Sequence, residues 1–157
     1  MNRRAFTLIE CVLTLVILSV AVPATLAMMH DATVARTESV MASRASWLGN
    51  LLCEQILADV ASNDPALGMD ALADPAAYLE APDTGLMDRL ASEMLEYEAL
   101  GLDAEITIGP LIALAGIATG DPNQDIYRRI TVTVSYRSAS AAARQVPFEL
   151  LVTDPTL

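Results

Sequence analysis

One acidic residue, Glu10, interrupts the apolar N-terminal part of this 157-residue chain. Residues 11–29 carry no charge, and residues 6–9 extend the apolar stretch on the other side of Glu10. A charge at the centre of a membrane-spanning helix costs about 2.5–3.5 kcal/mol on insertion scales. Pairing with a cation offsets much of such a cost, so Glu10 is a candidate functional residue that needs a partner.

A second group of polar residues has the spacing of a metal loop. Asp121, Asn123 and Asp125 place oxygen ligands at alternate positions, as the opening of a calcium loop does. The pattern lacks the Gly and the later Glu of an EF-hand, and a turn before a strand explains the same residues. Calcium is therefore the one cofactor that the sequence leaves open.

Composition argues against most enzymes and against nucleic-acid binding. One His and two Cys leave little material for a zinc site or a His-based triad. The chain has 20 acidic residues against 9 basic ones, all Arg, which gives a net charge of −11. Phosphate contacts need clustered cations, so no nucleic-acid partner is expected. With 54% hydrophobic residues, the chain is too apolar for a disordered acidic tail.

The apolar stretch is long enough to cross a membrane, since about 20 apolar residues in a helix span a bilayer core. Arg3 and Arg4 precede it, so we expect the N-terminus on the cytoplasmic side and the rest of the chain outside. The alternatives are an ordinary single-pass anchor and a secretory signal peptide cut after Ala27, the second of which would release an acidic binding module. The stretch is longer than the 7–15 apolar residues that are usual in signal peptides.

The sequence Arg-Arg-Ala-Phe-Thr-Leu-Ile-Glu at residues 3–10 resembles the N-terminal processing motif of type IV pilins and type II secretion pseudopilins. The resemblance implies that a leader, residues 1–5, is removed by prepilin peptidase between Ala5 and Phe6. Phe6 would then be N-methylated, and Glu10 would contact the N-terminus of an adjacent subunit. The family usually has Gly where this chain has Ala5.

The same resemblance implies a place and a set of partners. The protein would cross the inner membrane once, with its C-terminal part in the periplasm. Its partners would be other pilin or pseudopilin subunits, the peptidase that also methylates the N-terminus, and the inner-membrane assembly platform. Residues 146–154 also look similar to the end of the smaller minor pseudopilins.

Apolar spacing predicts that one long helix covers residues 6–62, with a transmembrane half (6–29) and an amphipathic half (30–62). A second, smaller apolar line could belong to the same core face or to neighbouring helices in a filament. Cys11 and Cys53 lie too far apart on this helix for a disulfide. The main stripe is Ala27, Val34, Met41, Ala45, Leu48, Leu52 and Ile56, and the second line is Val40, Trp47 and Leu51.

The sequence after residue 62 predicts an acidic middle segment (63–103) and a small antiparallel sheet (104–157). A long helix that packs on such a sheet is an α+β fold. Residues 66–84 are predicted as a loop with short turns, and residues 85–100 as a helix closed by Gly101. A short alternating stretch begins at residues 105–109, and strict alternation predicts strands at 130–136 and 146–152. Pro147 marks the second of these two strands as an edge strand or lies on its solvent side.

Overall fold

The computed structural model describes residues 7–62, 64, 66–138 and 142–153. The predicted cleavage site, Ala5 and Phe6, lies outside the described residues. The chain divides into two compact units, Met1–Val40 and Met41–Leu157, and each is described by itself.

Helix α1 runs from Leu8 to Val60 and has 53 residues. Both ends lie two residues inside the predicted bounds, which is the usual uncertainty of helix termini. Pro23 lies within the helix, which continues past it. Between residues 31 and 62 the only Gly or Pro is Gly49, so few helix breakers oppose the helix there.

In the Met41–Leu157 unit, α1 buries the predicted apolar stripe. Ala45, Leu48, Leu52 and Ile56 are fully buried, as their spacing indicates. The second line behaves differently, because Leu51 is half-buried against the core whereas the Trp47 side chain is 73% exposed. The two apolar lines are therefore not one uniform core face.

The segment predicted as loop contains a 3₁₀ turn, Ala71–Ala73, and a short helix, α2, at Pro75–Glu80. Pro75 starts α2 instead of breaking the chain, because proline at the first helical turn gives up no hydrogen bond. The Asp74 carboxylate caps this helix by accepting the Ala77 N–H at 3.2 Å. The loop interpretation was wrong at this point.

The predicted helix over 85–100 is broken into two, α3 (Leu86–Arg89) and α4 (Ala91–Ala99). The break lies at Leu90, whose backbone leaves the helical region with φ −103° and ψ 10°. Gly101 ends the segment as predicted, because its φ of +79° suits glycine and its N–H bonds to the Glu98 carbonyl at 2.8 Å.

Three antiparallel strands form the sheet: β1 (Leu102–Ile112), β2 (Tyr127–Arg137) and β3 (Ala143–Thr153), in the order β1-β2-β3. This confirms the α+β class. The alternation of β2 places Ile130, Val132 and Val134 in the core, as predicted. Pro147 lies in the edge strand β3, opposite Thr133.

Strand β1 is longer than the stretch that alternation picks out, because its pattern is interrupted. The register shifts between Ile108 and Leu111, where Gly109 and Pro110 form a bulge. The buried Arg128 side chain of β2 donates a hydrogen bond to the Gly109 carbonyl at 2.9 Å. This bond gives the carbonyl of the bulge a hydrogen-bond partner. Pairing resumes from Leu111 to Ile112.

A glycine lets α1 approach β3 closely. A Cβ built on Gly49 would lie 2.1–2.5 Å from three atoms of the Phe148 ring, far inside van der Waals contact. Gly49 is itself buried. The absence of a side chain at residue 49 is therefore what allows the aromatic ring to lie against the helix backbone.

We predict that Gly49→Ala destabilises the full chain in detergent micelles by about 1 kcal/mol. Overpacking costs about 1–3 kcal/mol, which exceeds the gain of about 1 kcal/mol in helix propensity. The urea midpoint of sheet unfolding, followed by circular dichroism, measures the change. The double variant Gly49→Ala/Phe148→Leu should recover part of the loss, and a single variant as stable as the wild type would contradict the close approach.

Candidate functional site

The N-terminal part of α1 is an apolar surface that its own unit does not cover. All side chains from residue 8 to residue 29 are exposed within the described part of the Met1–Val40 unit. By length and composition, α1 is the one helix among the described residues that could cross a membrane. Helix α1 is thus long and apolar enough to span a membrane.

Hydroxyl groups in this segment are satisfied inside the helix. Thr14 donates to the Cys11 carbonyl at 2.9 Å, and Ser19 donates to the Val16 carbonyl at 2.8 Å. Thr25 does the same with the carbonyl of residue 22 at 2.9 Å. Such back-bonding lets a polar side chain enter an apolar environment without an unpaired donor. The segment therefore presents apolar side chains and one carboxylate, Glu10.

Glu10 lies in the first turn of α1 with its side chain exposed. Its backbone N–H bonds to the Thr7 carbonyl at 3.0 Å. A carboxylate in the first turn interacts favourably with the positive end of the helix dipole. Its expected partner, the ammonium group of Phe6, falls outside the described residues, so the pairing stays a prediction.

Asp59, which sequence reasoning missed, accepts hydrogen bonds from three other side chains. Asp59 is 2% exposed, in the last turn of α1. Both terminal nitrogens of Arg89, in α3, donate hydrogen bonds to the Asp59 carboxylate, with Nη1 3.0 Å from Oδ1. The Tyr78 hydroxyl of α2 donates to Oδ2 at 2.7 Å, and Gln55 Nε2 donates to Oδ1 at 3.0 Å. This group is called the Asp59 cluster below.

The electrostatics of the Asp59 cluster favour an ionised, fully engaged carboxylate. Burial raises the pKa of Asp59, but the hydrogen bonds from Arg89, Tyr78 and Gln55 outweigh burial and hold the pKa below its ordinary value. Burial and the Asp59 charge raise the pKa of Tyr78. A carboxylate that accepts four hydrogen bonds is a poor base or nucleophile, and this one fastens the end of α1 to α2 and α3.

One signal in the sequence pointed to the Asp59 cluster. Residues 54–105 hold 13 acidic residues and a single cation, Arg89. A lone cation that packs into an acidic segment needs a carboxylate partner, but which of thirteen carboxylates it meets depends on how α1 and α3 pack.

The predicted calcium residues form a closed turn. Both oxygens of Asp125 accept the Thr119 N–H at 2.9 Å, and one also accepts the Gly120 N–H at 2.7 Å. These backbone bonds lower the pKa of Asp125. Asp121 accepts the Asn123 N–H at 2.9 Å. The bonds are those of the turn alternative, and across the described ranges no three His, Cys, Asp or Glu side chains converge to hold a metal. Calcium stays the alternative that the sequence leaves open for these residues, beside the expectation of no cofactor.

Both cysteines are free, as their spacing predicts. Cys53 is buried in the core of the Met41–Leu157 unit, and burial raises the pKa of its thiol. Cys11 is exposed within the apolar segment. A buried thiol with a raised pKa is a small apolar core residue and not a reactive one.

Comparisons with protein-family models, with curated proteins and with solved structures give no match for this chain. The resemblance to the pilin motif therefore rests on the sequence of residues 3–10, and no matched relative supports it. The coarser likeness is the combination of a long apolar N-terminal helix with a small antiparallel sheet, which is pilin-like.

We predict that Asp59→Asn destabilises the chain at pH 7 by about 3 kcal/mol, because it leaves the Arg89 guanidinium without its counter-charge. The native pKa of Asp59 lies below the unfolded value of about 3.9. The contribution of the ionised Asp59 to the free energy of unfolding is therefore complete above the unfolded pKa. It is lost as pH falls through the native pKa. Urea midpoints of the wild type and the variant, measured from pH 7 to pH 2, should draw closer together as pH falls below the unfolded value.

Glu96→Gln is the matched control, since Glu96 is exposed on α4 and the variant removes one charge without touching the Asp59 cluster. Its urea midpoint should stay within about 0.5 kcal/mol of the wild type. A constant difference between wild type and Asp59→Asn at every pH would contradict the electrostatic role.

Proposed function

We propose that this chain is a structural subunit of a type II secretion or type IV pilus-type filament. Prepilin peptidase would cut it between Ala5 and Phe6, and residues 6–29 would hold it in the inner membrane with the following residues outside. The observation that carries the proposal is the motif Phe-Thr-Leu-Ile-Glu followed by an uncharged stretch. The exposed apolar face of α1 supports it, because a filament core or a lipid bilayer would cover that face.

The proposal gives Glu10 a physical role. Cleavage creates an ammonium group at Phe6 inside the apolar zone, where both this cation and the Glu10 carboxylate are costly alone. Pairing them between neighbouring subunits offsets that cost and fixes how far one helix is displaced along the next. The exposed position of Glu10 in the first turn of α1 leaves its carboxylate accessible to a neighbour.

The Met41–Leu157 unit would then be the part that reaches beyond the membrane. Its densest polar group, the Asp59 cluster, is engaged in holding α1, α2 and α3 together. Its sheet packs against the Met41–Val60 part of α1, where the Phe148 ring lies against Gly49. These contacts support a scaffold role, and we propose that the protein is a substrate of the peptidase and methylase and not itself an enzyme.

We predict that the protein purified from membranes of its own cell begins with N-methylated Phe6. The leader ends at Ala5, and the small side chain of alanine fits the position that glycine usually holds. Intact mass spectrometry with N-terminal fragment sequencing measures the start of the chain. A chain that begins at Met28 would support the secreted acidic module, and a chain that keeps residues 1–5 would contradict processing.

We predict that Glu10→Gln inserts into the membrane normally but enters filaments at least about tenfold less well. Loss of a buried pair costs more than the roughly 1.4 kcal/mol that corresponds to a factor of ten. The measurement is the fraction of chain in sheared filaments against the fraction in the membrane.

Two further variants test whether assembly requires the charge at residue 10. Glu10→Asp keeps the charge and should restore part of the assembly, whereas Glu10→Ala should fail as Glu10→Gln does. Thr14→Ala, one turn further along α1, serves as a control that leaves the carboxylate in place. Normal assembly of Glu10→Ala would refute the pairing role.

A further inference from the structure

A groove of about 550 Å³ lies between α1 and α4 in the Met41–Leu157 unit and is called the Trp47 groove below. Its apolar lining comes from three side chains of α1 and one of α4: Trp47, Leu51, Ala58 and Tyr97. The Trp47 side chain is 73% exposed, so a large aromatic surface is left in water. Tryptophan is enriched among the residues that contribute most to protein interfaces, and this groove therefore has the character of a docking surface.

The Trp47 groove carries one charge that it does not neutralise. Glu54 is the one charged residue among the described lining residues, and its side chain is exposed. Glu54 forms no hydrogen bond or ion pair with another described residue, whereas the neighbouring Gln55 already binds Asp59. An occupant that suits this groove therefore combines apolar side chains with a cation.

The connection from β1 to β2 begins with a tight turn, residues 113–117, called the Leu114 turn below. The Gly116 N–H bonds to the Ala113 carbonyl at 2.8 Å, and the Ala113 N–H bonds to the Ile117 carbonyl at 3.1 Å. Leu114 and Ile117 are each 71% exposed. The backbone of the turn is therefore fixed, while its two large apolar side chains are left uncovered by their own unit.

A cation lies directly beside the Leu114 turn. A Cβ built on Gly116 would lie 2.9 Å from Nη2 of Arg129, and Gly116 has a φ of +83° that suits glycine. The glycine thus lets the guanidinium lie against the turn. Arg129 is exposed and forms no hydrogen bond or ion pair with another described residue, although Glu149 of β3 lines the same hollow. The turn therefore combines two apolar side chains with an unpaired cation.

We propose that the Leu114 turn of one copy enters the Trp47 groove of a second copy, with Arg129 facing Glu54. The two apolar side chains of the turn cover the exposed indole ring, and the opposite charges fix the orientation. Both surfaces are exposed within one copy, so the turn does not fill the groove of its own chain. The two surfaces differ, and such a heterologous contact repeats from copy to copy as a ring or an open filament. The contact rests on the proposed filament function, but it can be measured on uncleaved chains.

The fluorescence of Trp47 tests the contact directly, because it is the only tryptophan in the sequence. The full chain is studied in detergent micelles at a fixed detergent concentration. We expect the emission to move to shorter wavelengths as protein concentration rises, since association takes the indole ring out of water. Leu114→Ser/Ile117→Ser should abolish this shift. Leu95→Ser is the matched control, because Leu95 is exposed on α4 and does not line the groove, and it should keep the shift.

The main rival occupant of both apolar surfaces is lipid. An emission shift that follows detergent concentration and not protein concentration would overturn the proposal and assign Trp47 to the lipid phase. An unchanged shift in Leu114→Ser/Ile117→Ser would also overturn it, because the groove would then be covered by something other than the turn.

Charge reversal gives a second, independent measurement. Arg129→Glu and Glu54→Arg should each weaken self-association at least about fivefold in analytical ultracentrifugation, because each creates a like-charge contact. An equal mixture of the two variants should recover association, since each copy then finds a partner of opposite charge. Glu80→Arg, at an exposed residue of α2 that lines neither surface, should leave association unchanged.

The mixture separates a contact between copies from a general effect of charge. Weakening by all three variants alike, or a mixture that associates no better than its parts, would overturn the contact between Arg129 and Glu54. A chain that keeps residues 1–5 in its own cell but shows the expected shift and the recovery would refute only the processing.

Discussion

The whole structure depends on one helix that meets two different environments. In the first part of α1, hydroxyl groups bond to their own helix backbone, and Glu10 is the one charge among otherwise uncharged side chains. In the Met41–Val60 part, the helix buries one face and ends at a carboxylate, Asp59. A helix is the element that can do both, because it satisfies its backbone internally whatever surrounds it.

The last turns of α1 are held by a polar cluster as well as by apolar packing, because Ile56 and Val60 lie in the core beside Asp59. The Asp59 carboxylate accepts hydrogen bonds from the Arg89 guanidinium, the Tyr78 phenol and the Gln55 amide. These side chains belong to α3, α2 and the end of α1. Helices α2 and α3, of six and four residues, are far below the length at which an isolated helix is stable. Their order therefore depends on tertiary contacts, of which the Asp59 cluster is the most polar.

The sequence predicted the parts of the fold that repeat with a clear period. The stripe through Ala45 and Leu52, the alternation of β2 and the edge position of Pro147 follow from the geometry of helices and strands. The short helices and the full length of β1 did not follow, because Pro75 and the bulge at Gly109 break the local pattern. At the site, Glu10 could be found from its apolar neighbours, whereas the Asp59 cluster needed the packing of distant segments.

The proline in β3 has a consequence for crowded copies of this chain. Each sheet edge exposes backbone groups to which a foreign strand could add. Pro147 removes a donor from one edge strand, while Asp103, Glu105 and Pro110 make the other, β1, a charged and irregular template. Both edges of the sheet are therefore poor templates for strand addition by another copy of the chain.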